Sequence, residues 1–430
     1  MTSGAPGLLV TKFHIPALHE SLVSRPRLTG LLDSVWSYAL ALISAPAGYG
    51  KTNLLAAWSL AQDQPIAWLS LDSADNDIIR FLLHLQGSLQ TQLPDIELED
   101  RAGFGLAKIP SIEHVLTPWL NQLSVLDCEI LLALDDAHVI ENLQVHSALN
   151  YILDHRPNNL HMIIATRSDP PLSLSKMRAK GQMIEIRAED LRFSLSEIKQ
   201  FLTKVHHLDL ESEDLKTLAA RTEGWIAGLH MAALSLRSAE DEGAFVRAFA
   251  GDDWHIVDYL VDEVLRGQPD ELRTFMLRTG HLQRLSGSLC DAVAYGDEGA
   301  ERSQAHLELL ERENIFLMAL DTRRQWYRYH PLFADLLQQR LQRQEPQAAA
   351  ELHQRASHWY ATRARVDPDP LFLAYAVEHS FASGDMRATA ALIDDTAEWM
   401  LNRSEVFGFI RCIERLPPSV FDEFPRLYPL

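Results

Sequence analysis

The sequence predicts an α/β domain, a parallel sheet with helices on both faces, followed by a helical domain, a winged-helix domain and an α-helical arm. Three observations carry this. Short apolar runs alternate with longer helical stretches through the first 190 residues, the pattern of strands joined by helical crossovers. Strand patterning then stops for more than a hundred residues, and one pair of short strand-like runs returns near residue 320. Everything after it is helical.

The strand candidates are Leu40 to Ser44, Ile66 to Leu71, Ile130 to Leu134, Met162 to Thr166 and Met183 to Ile186. They are almost wholly apolar, as strands buried on both faces must be, which favours a parallel sheet. Beyond Leu191-Arg192-Phe193, the run Ser194-Leu195-Ser196-Glu197 reads as a helix start, Ser194 capping and Glu197 answering. Helical patterning fills Ile256 to Leu310. Ile315 to Leu320 and Gln325 to Tyr329, separated by the polar turn Asp321-Thr322-Arg323-Arg324, read as a hairpin, and helices closed by one hairpin make a winged helix. From Gln347 onward Leu352, Ala356, Trp359 and Tyr360 fall at helical spacing, in hairpins that must stack on neighbours. The expected boundaries are 1–190, 191–250, 251–345 and 346–430.

Composition agrees with several domains: a single core stops growing beyond roughly 250 to 300 residues, and this chain has 430 residues, 47% of them apolar. Thirty-nine basic against 59 acidic residues give a net charge of −20, which repels a nucleic-acid backbone unless cations cluster on one face. No apolar run reaches the ~18 residues of a membrane span, and the start Met1-Thr2-Ser3-Gly4-Ala5-Pro6 lacks a secretory pattern. A cytoplasmic protein with no membrane partner is expected. Cys128, Cys290 and Cys412 are far apart and odd in number, so reduced thiols are expected in place of disulfides or a metal cluster.

Ala45-Pro46-Ala47-Gly48-Tyr49-Gly50-Lys51-Thr52 matches the phosphate-loop spacing G-x-x-x-x-G-K-[ST], with Ala45 in place of the first glycine. The spacing has a physical reason. A strand ends, glycines let backbone N–H groups turn inward around phosphates, and the next helix, expected from Asn53 to Leu60, directs its positive N-terminus at them. Ala47, Gly48, Tyr49, Gly50, Lys51, Thr52 and Asn53 are therefore assigned to a bound ATP or ADP. Lys51 is expected to contact the β- and γ-phosphates, and Thr52 to hold magnesium. The fold class becomes a phosphate-loop NTPase.

Glu129 to Asp136 is a buried strand ending in two carboxylates, where an acidic residue is needed beside the nucleotide's metal. Asp135 is assigned to Mg2+ and Asp136 to polarising the attacking water; the competing role for Asp136 is a cap for the segment from Ala137. Arg167, just past the fourth strand in Thr166-Arg167-Ser168-Asp169-Pro170-Pro171, reads as a γ-phosphate sensor at the sheet edge where nucleotides bind. The competing reading pairs it with Asp169. Catalytic roles thus fall to Asp136, Lys51 and Arg167.

With these motifs in hand, the chain resembles the MalT-type ATP-dependent regulators of the LuxR family, a branch of the STAND ATPases. The resemblance spans nearly all 430 residues and rests on an ordered set: Val23-Ser24-Arg25-Pro26-Arg27-Leu28, the phosphate loop, Trp68-Leu69-Ser70-Leu71-Asp72 with Asp75-Asn76-Asp77, Leu134-Asp135-Asp136-Ala137-His138, Thr166 to Pro171, Thr222-Glu223-Gly224-Trp225 with Ala227-Gly228-Leu229, Arg278-Thr279 with Leu289-Cys290-Asp291-Ala292-Val293, and Tyr329-His330-Pro331-Leu332-Phe333.

The resemblance implies nucleotide-binding domain, helical domain, winged helix and arm, then a tetratricopeptide-like sensor and a C-terminal helix-turn-helix DNA reader. It implies that the Val23 to Arg27 loop, with Val23 and Arg25, borders the adenine, and that Gly224 to Gly228 sits near the base, Trp225 being equally readable as core. It also implies that His330 touches the β-phosphate of ADP, against a histidine buried in the wing or capping the helix at Pro331. This sequence stops where the sensor would begin, so an N-terminal fragment is expected, with DNA contacted only through the missing C-terminal domain.

The leading functional expectation is a regulatory switch, monomeric with ADP and a homo-oligomer with ATP, with an inducer or regulatory protein acting through the missing sensor. Slow ATP hydrolysis would serve regulation. The alternatives are a phosphate-loop kinase, which would need an acceptor pocket, and a remodelling ATPase, for which Arg178 or Arg187 could act on a neighbouring subunit.

Overall fold

The computed structural model describes residues 9–18, 22–93, 112–237, 239, 241–249, 254–296, 301–366, 370–402 and 412–427. The chain forms two compact units. One comprises Met1–Phe249 with Arg312–Ile315, the other Ala250–Glu311 with Phe316–Leu430.

The first unit is built on a five-stranded sheet of β1 (Leu40–Ser44), β2 (Ile66–Ser70), β3 (Ile130–Asp135), β4 (Leu160–Thr166) and β5 (Met183–Arg187), in the order β2-β3-β4-β1-β5. Every pairing is parallel. β1, β3 and β4 are buried along their whole length, whereas the edge strand β5 is buried only at Met183 and Ile186. Helices Ile78–Gln92, Ile112–Ser124 and Leu143–His155 press Phe81, Leu85, Leu116, Trp119 and Leu149 into the same apolar core as Leu42, Leu132 and Ile164.

β1 ends at Ser44 as the sequence indicates, but the helix after the loop begins at Lys51, two residues before Asn53. Gly50 takes a left-handed φ of 77° and turns the chain directly into the helix, a conformation costly for other residues. After β5 the helix Leu195–Phe201 opens with the expected box: Ser194 accepts from the Glu197 N–H, and the Glu197 carboxylate accepts from the Ser194 N–H.

In the second unit the helices Asp270–Thr279, Gly287–Tyr295 and Ser303–Arg312 lead into β6 (Leu317–Ala319) and β7 (Tyr327–Tyr329), paired antiparallel, with Leu285 bridging Tyr327 from the other side. This is a winged helix. The hairpin strands are shorter than Ile315 to Leu320 and Gln325 to Tyr329. At one end Asn314 and Phe316 hold positive φ values of 51° and 48°, which breaks extended pairing. At the other, the Asp321 carboxylate accepts from the backbone N–H of Arg323, Gln325 and Trp326, so those amides serve the turn.

Helices Pro331–Gln344, Pro346–Val366, Pro370–Ser383 and Met386–Asn402 follow, and Leu352, Ala356, Trp359 and Tyr360 are all buried. Leu373, Val377, Phe381, Ala390 and Ile393 share a core with Ile413, Leu416 and Leu427. The three cysteines are free thiols. Among the described residues no helix is long and apolar enough to cross a membrane.

Candidate nucleotide site

Parallel strands deliver their carboxyl ends to one edge of the sheet, and the register decides which residues meet there. Ser44 lies beside Thr166, and Ser70 beside Asp135. The loop after β1, the carboxylates ending β3 and Arg167 after β4 therefore share one edge, where open α/β sheets take their ligands.

Lys51 is buried, and its Nζ donates to the carbonyls of Ala45 at 2.8 Å and Pro46 at 2.9 Å. Burial first, then the charge of Arg167, lower its pKa to about 8 against the pull of Asp136 and Asp135. The Lys51 ammonium therefore lies in the field of one cation and two carboxylates. Arg167 thus lies within electrostatic reach of Lys51, while Asp169 is taken by Arg187 and Arg178. Those ion pairs, with Glu185 as the second acid, also engage Arg178 and Arg187 within this chain.

Thr52 Oγ1 donates to Asp135 Oδ1 at 3.1 Å. Burial and the neighbouring Asp136 charge push the Asp135 carboxyl up to about 6, with Thr52 and Lys51 opposing. A hydroxyl and a crowded, desolvated carboxylate side by side are the donors a hard divalent cation takes, so these residues fit magnesium. Asp136 stands at a left-handed φ of 56°, its side chain about half exposed, with His138 Nδ1 3.8 Å from Oδ1. It makes no side-chain cap to the following turn. Asp adopts this left-handed conformation more readily than most non-glycine residues.

The helical segment reaches the loop directly. Trp225, fully buried, donates its indole N–H to the Ala47 carbonyl at 3.1 Å, and the Ala227 N–H donates to the Gly48 carbonyl at 3.1 Å. Gly224 has φ 73°, and a Cβ there would lie 2.6 Å from the Phe193 carbonyl oxygen and 2.7 Å from its nitrogen. Glycine is required for that backbone approach. Tyr49 and Ala47 are buried, Gly48 and Gly50 partly so, and Asn53 is exposed.

Val23 is buried, and the Arg25 guanidinium is engaged inside the unit. It pairs with Glu197 at 3.1 Å, donates to the carbonyls of Leu191 at 2.9 Å and Arg192 at 2.8 Å, and lies 4.3 Å over the Phe193 ring. Arg25 thus clasps the Val23 loop to the start of the helical segment.

Several positioning contacts escaped sequence reasoning. Asn76 Oδ1 accepts from the N–H of Glu141 and Asn142, and its Nδ2 donates to Val139, holding the stretch that follows Asp136. Asn314, part of the first unit, donates to the Arg167 carbonyl at 2.7 Å and to Ser44 Oγ at 3.2 Å. Lys12 pairs with Asp75 and Asp72, and His84 with Asp75, in a buried network beyond β2. None of these pairs has a periodic signature. His330 is buried in the second unit at the N-cap position of Pro331–Gln344, edge-on to Phe316 at 5.7 Å.

Sheet order and the loop after β1 define a phosphate-loop ATPase fold, followed by a winged helix. The MalT winged helix domain family matches residues 261–349. Over 98% of its length the chain is 32% identical to the HTH-type transcriptional regulator MalT of Yersinia enterocolitica, covering 45% of that protein. Over 99% of its length it is 31% identical to the serine/threonine-protein kinase PknK of Mycobacterium tuberculosis, covering 38%. Among solved structures, a Walker-type ATPase of Pyrococcus abyssi matches 76% of this chain and 99% of its own, with a TM-score of 0.52 at 16% identity. The chain is related along nearly its whole length to MalT-type regulators. It spans less than half the length of the curated relatives it matches.

Proposed function

We propose that this chain is the nucleotide-responsive portion of a MalT-like transcription regulator, binding ATP or ADP with magnesium and hydrolysing ATP slowly to control self-association. The observation that carries the reading is the pair of bonds from Trp225 and Ala227 to the carbonyls of Ala47 and Gly48. A ligand that reshapes the phosphate loop must also move the helical segment bonded to it. An enzyme that only processes a metabolite has no need of that coupling.

In this reading the backbone N–H groups of Ala47 to Asn53 receive the phosphates, Lys51 and Arg167 balance their charge, and Thr52 and Asp135 hold the metal. Bound Mg2+ and ATP would supply the polarised phosphoryl group; Asp136 orients and polarises the water that attacks it. Val23 and Gly224 border the base, and Arg25 fixes the loop that carries Val23. The regulator is placed in the cytoplasm, with DNA contacted by a C-terminal domain and an inducer or regulatory protein met by a sensor. Nucleotide acts through different affinities for a monomeric, ADP-bound state and an associating, ATP-bound state, since equal affinities would shift nothing.

Sedimentation with Mg-ADP and with a non-hydrolysable ATP analogue tests the proposal, together with turnover. We expect monomer with ADP, association with the analogue, and hydrolysis far below the ~10 s⁻¹ of a median enzyme. Identical sedimentation with both nucleotides, or rapid turnover, would overturn it.

Asp136→Asn should keep ADP affinity within about threefold while hydrolysis falls by roughly a hundredfold or more. Asp135→Asn should weaken the magnesium-dependent part of binding. Single-turnover hydrolysis at the parental rate in Asp136→Asn would make that residue structural. His330 extends the reading to the winged helix: a hydrogen bond from its imidazole to a diphosphate contributes about 1.5 to 3 kcal/mol. His330→Ala should then shrink the melting shift produced by ADP. An equal shift in parent and variant, beside a lower melting temperature without nucleotide, would assign His330 to the packing of the wing.

A further inference from the structure

Away from the nucleotide site, the second unit gathers three imidazoles from three separate segments. His281 sits in the turn after Asp270–Thr279, His353 on the helix Pro346–Val366 and His379 on Pro370–Ser383. One ring nitrogen from each lies within 4.8 Å of the other two. His353 Nδ1 and His379 Nδ1 are 2.8 Å apart, and the His281 ring stands edge-on to both, its centroid 4.5 Å from that of His353 and 5.5 Å from that of His379. Tyr360 stacks flat on His379, 5.7 Å away with an interplanar angle of 6°.

The cluster is only partly satisfied: His353 Nδ1 and His379 Nδ1 hydrogen-bond to each other. His281 and His379 are 4% and 1% exposed, yet both ring nitrogens of His281 and Nε2 of His379 have no hydrogen-bond partner. The Leu352 backbone faces His281 without completing a bond. Buried polar atoms are nearly always partnered, so three in one cluster ask for an explanation. Among the described residues no carboxylate or thiol joins the group. Burial and mutual proximity hold His281 well below the ordinary range and His379 at about 3. Metal binding takes the neutral imidazole, whose ring-nitrogen lone pair is the ligand.

We propose that His281, His353 and His379 form a binding site for a divalent transition-metal ion of the zinc class, clipping the winged helix to the first two helices of the arm. An all-imidazole donor set selects ions such as zinc, copper or nickel over calcium and magnesium. Tetrahedral zinc at ~2.0 to 2.1 Å from each nitrogen sets neighbouring nitrogens about 3.4 Å apart. His353 and His379 approach to 2.8 Å and all three nitrogens lie within 4.8 Å of one another, so small ring movements close the site. His353 is half-buried, which leaves a path for the ion and for water as fourth ligand.

The whole chain, stripped with chelator and dialysed, should bind one zinc ion per chain by calorimetry, and zinc should raise its melting temperature. Cobalt should give the intense visible bands of four-coordinate nitrogen ligation. His353→Gln, at the least buried of the three, should weaken zinc by about tenfold or more and abolish the melting shift; His206→Gln, in the separate His206–His230 pair of the first unit, should change neither. Weak octahedral cobalt bands in the parent overturn the proposal even where variants fail to fold. So does unchanged zinc affinity in His353→Gln, or binding that is lost in His206→Gln instead.

Discussion

Lys51→Ala should remove most affinity for ATP and ADP, by roughly a hundredfold or more. The ammonium is buried and aimed by the carbonyls of Ala45 and Pro46, so the parent has already met the cost of ordering it. Each hydrogen bond to a charged phosphate contributes about 1.5 to 3 kcal/mol, and two phosphates are within its expected reach. Without nucleotide the effect should be small. Lys51 is desolvated beside Arg167, so alanine relieves a burial cost and should leave the nucleotide-free melting temperature near that of the parent. Titration calorimetry with Mg-ADP decides the matter: affinity within about threefold of the parent would remove the phosphate-loop assignment. The depressed pKa adds a pH test. Lys51 is charged below about 8 and loses its proton as pH rises through that value, so parental affinity should decline between pH 7 and 9.

Arg25→Ala should cost roughly 3 to 5 kcal/mol of stability, the penalty for breaking a buried ion pair by removing one partner. The substitution strands the mostly buried Glu197 carboxylate and the carbonyls of Leu191 and Arg192 at once. It also removes a cation from the face of Phe193. Because the side chain is spent on these partners, the melting shift that ADP produces should survive in whatever protein folds. Thermal unfolding with and without Mg-ADP separates the roles. A variant as stable as the parent but insensitive to ADP would restore Arg25 as a nucleotide ligand.

Local chemistry made part of this molecule legible. The loop from Ala45 to Thr52 is contiguous, so the spacing that lets a backbone turn around phosphates is written directly in its residues. The five strands announce themselves because strands buried on both faces must be apolar, and their bounds in the structure differ by at most two residues from those the runs indicate. The box of Ser194 and Glu197 spans a single helical turn and was equally plain.

What only the tertiary structure decided lies far apart in sequence. Trp225 bonds to a carbonyl 178 positions away and Arg25 to one 166 positions away, and neither separation leaves a periodic trace. The register of parallel strands chose which side chains share the sheet edge, setting Arg167 near Lys51 and leaving Asp169 to Arg187. The meeting of His281, His353 and His379 depends on how the arm helices pack beside the turn after Thr279. Contacts of this kind form only when distant elements dock, since their free energy comes from burial and complementary partners and not from any local preference of the chain.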